Sequence, residues 1–350
     1  MERQSSRKVK IGSVTIGGGS PIAVQSMLCA PPDDIGANIR QTKALYEAGC
    51  DINRVAMPEK GGALLIASIK EACPQLPLVA DIQFDYRLAI EAAYAGADKI
   101  RINPGNIGDE DNLRHVISAC RDRSLAIRIG VNSGSLEKEI LAKYQRPTAE
   151  ALAESAVMNA RLLEKFDFDN YVVAIKSSDV FTTVAAYRLA AQKLDCPFHL
   201  GVTEAGTARM GIIKSAAAFG ALLEDGIGDT LRVSLTADPV EEVKAGRDIL
   251  RALGLGKGPR LISCPTCGRC RVDLFRIAQE VEDGLKNCQK DIKVAVMGCA
   301  VNGPGEARDA DLGLAGGKGE MLLFRKGEPL RKVPEEGAVK ALLEEVERFE

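Results

Sequence analysis

The chain has 350 residues, enough for about two domains with a large core. Its 46 basic and 48 acidic residues nearly cancel, Trp is absent and aromatic residues make up 4%, so no nucleic-acid surface is expected. The N-terminus lacks an apolar signal region, and no later apolar run has the length of a membrane span. We therefore expect a soluble, cytoplasmic protein that binds neither membrane nor nucleic acid.

Short runs rich in β-branched residues recur along the chain, and each is followed by turn residues and a helical pattern, such as residues 35–48 before Gly49. The predicted strands cover residues 22–26, 51–55, 78–82, 99–103, 126–131, 171–176, 198–202 and 230–235. This alternation predicts an α/β fold, a (β/α)8 TIM-type barrel. A doubly wound open sheet is the alternative, although no G-x-G-x-x-G follows the first strand. The long connection at 136–169 holds a helical pattern at 149–166, which predicts an inserted helix over one rim.

Polar and cationic residues mark the carboxyl ends of the predicted strands, where barrel enzymes carry their chemistry. They are Arg54, Arg101, Asn103, Arg128, Asn132, Lys176, Arg232 and Ser234. Any one of them could form a structural ion pair. Five cations that converge on one mouth instead favour a polyanion such as a diphosphate, because guanidinium groups match phosphate oxygens.

Two carboxylates lie among these cations. Asp81 ends the third predicted strand and Glu204 follows the seventh, and either could balance the arginines. Glu204 is the better acid/base candidate, since a carboxyl beside substrate phosphates can hold a proton for delivery. His199 lies within a strand, and we expect it to be a hydrogen-bonded core residue.

The sequence changes in character after Leu253, where a Gly- and Pro-rich linker begins. We place the boundary near residue 256, with a barrel domain at 1–256 and a smaller α/β domain at 257–350. The second domain is predicted to run strand, Cys-turn, helix, strand, Cys-turn, hairpin and closing helix.

The cysteines of the second domain have ligand spacing. Cys264 and Cys267 form a C-x-x-C turn, and Cys299 follows an apolar strand, which makes three candidate sulfur ligands. The fourth ligand could be Cys270 or an oxygen of Glu306. An incomplete sulfur set favours an iron-sulfur cluster over structural zinc, although a zinc knuckle or a redox dithiol has the same C-x-x-C spacing.

The chain resembles one family closely, the bacterial 4-hydroxy-3-methylbut-2-enyl diphosphate synthases of the non-mevalonate isoprenoid pathway. The matching motifs lie at residues 24–27, 79–82, 101–106, 128–135, 201–206, 226–230, 264–269 and 297–307. They cover nearly the whole chain in order, and the last two are highly specific.

The resemblance implies that Cys264, Cys267, Cys299 and Glu306 hold a 4Fe-4S cluster, with Cys270 as a bystander and Glu306 also catalytic. It further implies that 2-C-methyl-D-erythritol 2,4-cyclodiphosphate is reductively opened and dehydroxylated with two electrons from flavodoxin or ferredoxin. Members of the family are dimers in which the cluster domain of one subunit faces the barrel mouth of the other. Glu204 is our candidate for the proton donor to the departing hydroxyl.

This chain departs from the family at two places. Gln83 stands where the family usually has His, and residues 28–32 replace a Thr-rich segment. Gln keeps a hydrogen bond to substrate but cannot become a cation, so we predict retained but weaker activity.

Two other functions fit parts of the sequence. A different diphosphate-binding or pterin-type barrel with a structural cluster would keep the arginines, but its cluster spectrum would not respond to substrate. A zinc-ribbon binding module fused to a degenerate barrel would contain zinc and be colourless.

Overall fold

The structure, a computed structural model, describes residues 3–103, 106–286, 288–299 and 307–349. The chain divides into two compact units, Met1–Ile249 and Leu250–Glu350. The boundary predicted near residue 256 stays a prediction. No helix in the described part of the chain is both long and apolar enough to cross a membrane.

The first unit begins with an antiparallel hairpin of β1 (Val9–Ile11) and β2 (Val14–Ile16). Eight strands follow within the described residues and pair in parallel. They are β3 (Ala23–Val24), β4 (Asn53–Ala56), β5 (Leu78–Asp81), β6 (Lys99–Ile102), β7 (Ala126–Asn132), β8 (Tyr171–Lys176), β9 (His199–Leu200) and β10 (Thr230–Leu231). Each predicted strand is found, with ends shifted by a few residues.

These strands close into a barrel. Strands β4 to β8 form one parallel sheet, and β3, β10 and β9 form a second. Parallel bridges from Gln25 to Ile52 and from Val173 to Phe198 join the two sheets at both edges. The structure therefore confirms the TIM-type barrel, and the open-sheet alternative is wrong.

Helices alternate with the strands along the unit. They are α1 (Ile35–Glu47), α2 (Gly62–Ala72), α3 (Tyr86–Ala95), α4 (Glu110–Asp122), α5 (Lys138–Tyr144), α6 (Ala149–Glu164), α7 (Val180–Ala191), α8 (Ala208–Glu224) and α9 (Pro239–Ala252). Aspartate side chains cap several of them, for example Asp85 before α3 and Asp179 before α7. The predicted inserted helix was assigned to the wrong segment: α6 packs on β7 and β8 as a regular barrel helix, and the short α5 is the extra one.

The base of the barrel is closed by apolar side chains. Val9, Ile11 and Ile16 of the hairpin pack with inward residues of the strands, including Val79 and Ala126, and all are buried. The end of the barrel opposite the predicted cation site is therefore filled by apolar side chains.

The second unit is a mixed five-stranded sheet with helices. Its elements are β11 (Arg260–Ser263), α10 (Leu274–Leu285), β12 (Lys293–Met297), β13 (Leu312–Gly316), β14 (Glu320–Arg325), β15 (Glu328–Pro334) and α11 (Ala338–Arg348). Strands β11, β12 and β13 are parallel, and β13, β14 and β15 are antiparallel. Because Cys264 follows β11 and Cys299 follows β12 closely, the two cysteines lie toward the same edge of the sheet.

Candidate active site

A cavity of about 440 Å³ opens at the carboxyl ends of the barrel strands. It brings together most of the residues predicted for the site: Arg54, Gln83, Arg101, Arg128, Asn132, Lys176, Glu204, Arg232 and Ser234. Asp81 and Asn103 are buried beside these residues without lining the cavity. The strand-end positions predicted from the sequence therefore form one site in space.

Asp81 holds two of the cations from below. Its Oδ2 accepts a hydrogen bond from Arg54 Nη2, and its Oδ1 accepts one from Arg101 Nη1, each at 2.9 Å. Burial alone would raise the pKa of Asp81, but Arg54 and Arg101 outweigh it and lower that pKa to about 2. Burial in turn lowers the pKa of Arg54 to about 10, against the attraction of Asp81. Asp81 balances the arginines, the role that the sequence analysis considered for it.

Glu242 of α9 orients a third cation, and the sequence analysis missed it. Its carboxylate accepts Arg232 Nε and Nη2, both at 2.9 Å, and also accepts Ser26 Oγ at 2.8 Å. Glu242 is 2% exposed, whereas Glu241 beside it in the chain is exposed. In the sequence, Glu242 is one of two adjacent acids in the first turn of a helix, and nothing marks it as the buried one.

Arg128 and Lys176 are buried, and no carboxylate pairs with either among the described residues. Arg128 Nε and Nη1 have no hydrogen-bond partner there. Burial first, and then the neighbouring arginines, lower the pKa of both side chains well below their ordinary values. Unpaired buried cations are costly, so the mouth is built to receive negative charge.

Two glycines make room for these side chains. A Cβ at Gly130 would lie 2.7 Å from Arg101 Nε, and one at Gly201 would lie 3.2 Å from Lys176 Nζ. The first distance is shorter than real Cβ contacts, so a side chain at Gly130 would displace Arg101. The second is tight, so a side chain at Gly201 would require Lys176 to shift by a few tenths of an ångström.

Glu204 stands at the rim of the cavity in a strained backbone. It is exposed, and its φ of 51° lies in the left-handed region that side chains other than glycine rarely adopt. Such strain is held where function needs a side chain aimed in one direction. Glu204, held in this conformation, is one of the residues that line the cavity.

Three further residues from the sequence analysis make side-chain hydrogen bonds: Gln83, Asn103 and His199. Gln83 Nε2 donates to Asp81 Oδ2 at 3.4 Å, and Asn103 Nδ2 donates to Ser135 O at the same distance. His199 is fully buried, and its Nδ1 contacts Thr230 Oγ1 at 3.2 Å, so the expectation of a hydrogen-bonded core histidine is correct.

The candidate cluster ligands lie in the second unit. Cys264 Sγ accepts the Gly298 N–H at 3.2 Å, and hydrogen bonds from Arg269 lower the pKa of Cys267. Both features suit thiolate ligands, so Cys264 and Cys267 have the donor chemistry that an iron-sulfur group needs. Within the described residues no group of three or more His, Cys, Asp and Glu side chains is arranged to hold a metal ion. Glu306 lies outside the described residues.

The fold and the mouth define a class: a TIM-barrel protein built to bind a polyanion and joined to a cysteine-bearing α/β domain. Two family models match the chain, the GcpE TIM-barrel domain over residues 6–247 and the GcpE protein C-terminal domain over residues 260–348. The chain belongs to the GcpE family, as the resemblance predicted.

Curated relatives match over almost the full length. A Clostridium perfringens protein is 54% identical over 99% of both chains, and a Geobacter sulfurreducens protein is 53% identical over 99% of this chain and 98% of its own. Both are named 4-hydroxy-3-methylbut-2-en-1-yl diphosphate synthase (flavodoxin).

Solved structures share the barrel at low identity. A truncated 3-deoxy-D-arabino-heptulosonate 7-phosphate synthase from Thermotoga maritima has a TM-score of 0.50 and 15% identity, covering 72% of this chain and 95% of its own. Dihydropteroate synthase from Thermus thermophilus also has a TM-score of 0.50, with 13% identity, covering 71% and 98%. These likenesses show the fold alone.

Proposed function

We propose that the chain is a 4-hydroxy-3-methylbut-2-enyl diphosphate synthase. It reductively opens 2-C-methyl-D-erythritol 2,4-cyclodiphosphate and removes a hydroxyl, using two electrons from flavodoxin or ferredoxin. The observation that carries the proposal is the mouth, where five cations converge on one cavity. The chain also matches relatives of this name over nearly its full length.

The charges of the mouth support a diphosphate substrate. Five cations line the cavity, and three carboxylates, Asp81, Glu204 and Glu242, lie at or beneath it, which leaves a surplus of two positive charges when all are ionised. In the proposal Arg54, Arg101, Arg128, Lys176 and Arg232 bind the two phosphates, including the oxygen freed when the ring opens. Gln83, Asn103, Asn132 and Ser234 supply neutral hydrogen bonds, and Asp81 and Glu242 orient the guanidinium groups.

The carboxyl of Glu204 serves as the proton donor in this scheme. Its place on the rim lets it reach a hydroxyl at the outer end of a substrate whose phosphates lie against the arginines. A proton delivered to the departing hydroxyl oxygen turns it into water, which is a far better leaving group than hydroxide.

A 4Fe-4S cluster would be held by Cys264, Cys267, Cys299 and Glu306. When bound, it supplies the two electrons one at a time. Glu306 would bind through oxygen, a ligand atom that exchanges more readily than sulfur. Cys270 donates from Sγ to Val272 O at 3.3 Å and stays outside the ligand set.

A homodimer would complete the active site by bringing the cluster domain of one subunit to the mouth of the other. Large apolar side chains are exposed where helices and loops follow β4, β5 and β8: Leu64 is 61% exposed, Phe84 72% and Phe181 85%. Such residues suit a surface that a partner covers. We place the enzyme in the cytoplasm, where reducing conditions keep the thiols available.

Anaerobic purification followed by turnover tests the proposal. We expect about four irons and four sulfides per chain, a visible spectrum that changes when the cyclodiphosphate is added, and conversion of that substrate with reduced flavodoxin. If the cluster spectrum did not change when the cyclodiphosphate was added, the result would indicate a different barrel enzyme with a structural cluster. Stoichiometric zinc without colour would rule out the redox reaction.

A further inference from the structure

A polar layer lies inside the barrel beneath the mouth. Gln25, Lys99, Arg128 and His199 are at most 1% exposed, and each has side-chain atoms without a hydrogen-bond partner in the described part of the protein. For Lys99 the unpartnered atom is Nζ itself. Buried donors are nearly always satisfied, so a lysine left in this state needs an explanation.

The sheet register fixes where Lys99 points. As the first residue of β6, it pairs with Val79 of β5 on one side and Ala126 of β7 on the other. Both neighbours pack inward against the apolar base. Since paired residues of adjacent strands face the same side, the Lys99 side chain also enters the barrel and stands between that base and the mouth.

The electrostatic neighbours of Lys99 are basic. Arg54 on β4, Arg128 on β7 and the imidazole of His199 on β9 all interact with it. The neighbouring strand β5 carries Asp81, and its carboxylate is engaged by Arg54 and Arg101. Burial first, and then Arg128 and Arg54, lower the pKa of Lys99 well below its ordinary value. While the mouth holds no anion, burial and these cations make the ammonium of Lys99 less favourable than that of an exposed lysine.

We propose that Lys99 is a positioning residue of the mouth, which acts through Arg128 and gains its proton only when a diphosphate occupies the cavity. The negative charge of a bound diphosphate reverses the field felt at Nζ, so that the ammonium becomes the stable form. The charged Lys99 then stabilises the bound anion electrostatically from below the cations that line the cavity. Diphosphate binding is thus coupled to proton uptake. The inference rests on the proposed function only in taking the anion to be a diphosphate.

Calorimetric titration of the full-length protein with inorganic diphosphate tests the coupling. Titrations at one pH in two buffers of different ionisation enthalpy give the number of protons taken up. The variant Lys99→Met keeps the chain length of lysine and removes the nitrogen. We expect it to take up about one proton fewer than the wild type and to bind diphosphate about 3- to 10-fold more weakly.

A thermal unfolding measurement separates this role from a structural one. Because methionine removes a buried unpaired base, Lys99→Met without diphosphate should unfold at a temperature no lower than the wild type. The affinity of the wild type should also fall more steeply with rising pH than that of the variant. The titration of diphosphate itself is common to both proteins and cancels in the comparison.

Three outcomes would overturn the inference. If the binding enthalpies in the two buffers were equal after correction for the ionisation of diphosphate itself, diphosphate binding would not be coupled to protonation of the protein. Proton uptake that survives in Lys99→Met but disappears in His199→Gln would assign the proton to the imidazole. If inorganic diphosphate did not bind the wild type at all, the phosphate site of the proposed function would fail together with this inference.

Discussion

Replacing Asp81 by Asn removes the charge that holds two cations of the mouth. The side chain is 1% exposed and bridges Arg54 and Arg101 at 2.9 Å each. The variant leaves both guanidinium groups buried without this carboxylate. We expect the free energy of unfolding to fall by about 3–5 kcal/mol, because an uncompensated buried charge costs more than the pair contributes.

The pH dependence gives a second measure of the same interaction. The pKa of Asp81 falls from 3.8 to about 2 on folding, which corresponds to about 2 kcal/mol of stability. Because the folded pKa is the lower one, this contribution is present above about pH 4 and is lost as the pH falls toward 2. The Asp81→Asn variant should lack this component of the acid destabilisation.

Urea denaturation under anaerobic conditions, with and without inorganic diphosphate, measures both effects. Diphosphate should restore part of the stability of Asp81→Asn, since the anion replaces the missing negative charge. Asp225→Asn is the matched control: Asp225 pairs with Arg188 at 2.7 Å on the surface, and its loss should cost less than about 1 kcal/mol and be unaffected by diphosphate. An Asp81→Asn protein as stable as the wild type without diphosphate would refute the reasoning.

Four further experiments test the site. Glu242→Gln should raise KM for the cyclodiphosphate about tenfold, because Arg232 loses a charged partner, and should leave the cluster spectrum unchanged; an unchanged KM would show that Arg232 needs no orientation. Glu204→Gln should lower kcat by about 10²- to 10⁴-fold while diphosphate affinity changes little, and normal turnover would remove Glu204 as the proton donor. Gln83→His should increase kcat/KM, since a cation is regained, and identical kinetics would leave Gln83 without a special role. Cys270→Ser should retain full iron content where Cys264→Ser loses it, as measured by iron and sulfide analysis; iron loss from both would make Cys270 a ligand.

The sequence was sufficient for the barrel because each strand carries its own β-branched run and turn residues. It also located the mouth, since parallel strands place their carboxyl ends at one edge, and Arg54, Arg101 and Arg128 lie on β4, β6 and β7 of one parallel sheet. The roles of the cluster ligands and of the mouth residues stay predictions. They were reached from spacing and resemblance.

The parts that escaped prediction depend on tertiary contacts. Glu242 looks like any acidic residue in a helix until the barrel closes and α9 brings it to Arg232 and Ser26. Lys99 opens a strand, where a lysine commonly reaches solvent, and only the closed barrel reveals its burial. The helix predicted at 149–166 is present as α6. Its position as a regular barrel helix could not be predicted, because the additional helix of this connection is the short α5 before it.

The apolar base sealed by the β1–β2 hairpin shapes how ligands arrive. Low-dielectric side chains such as Ile11 and Ile16 screen the interior cations poorly and keep water from them at that end. The positive potential therefore emerges through the mouth, and field lines concentrate there. A diffusing anion is steered toward the cavity before any contact is made, so the association rate should drop steeply as ionic strength rises, while the dissociation rate changes much less.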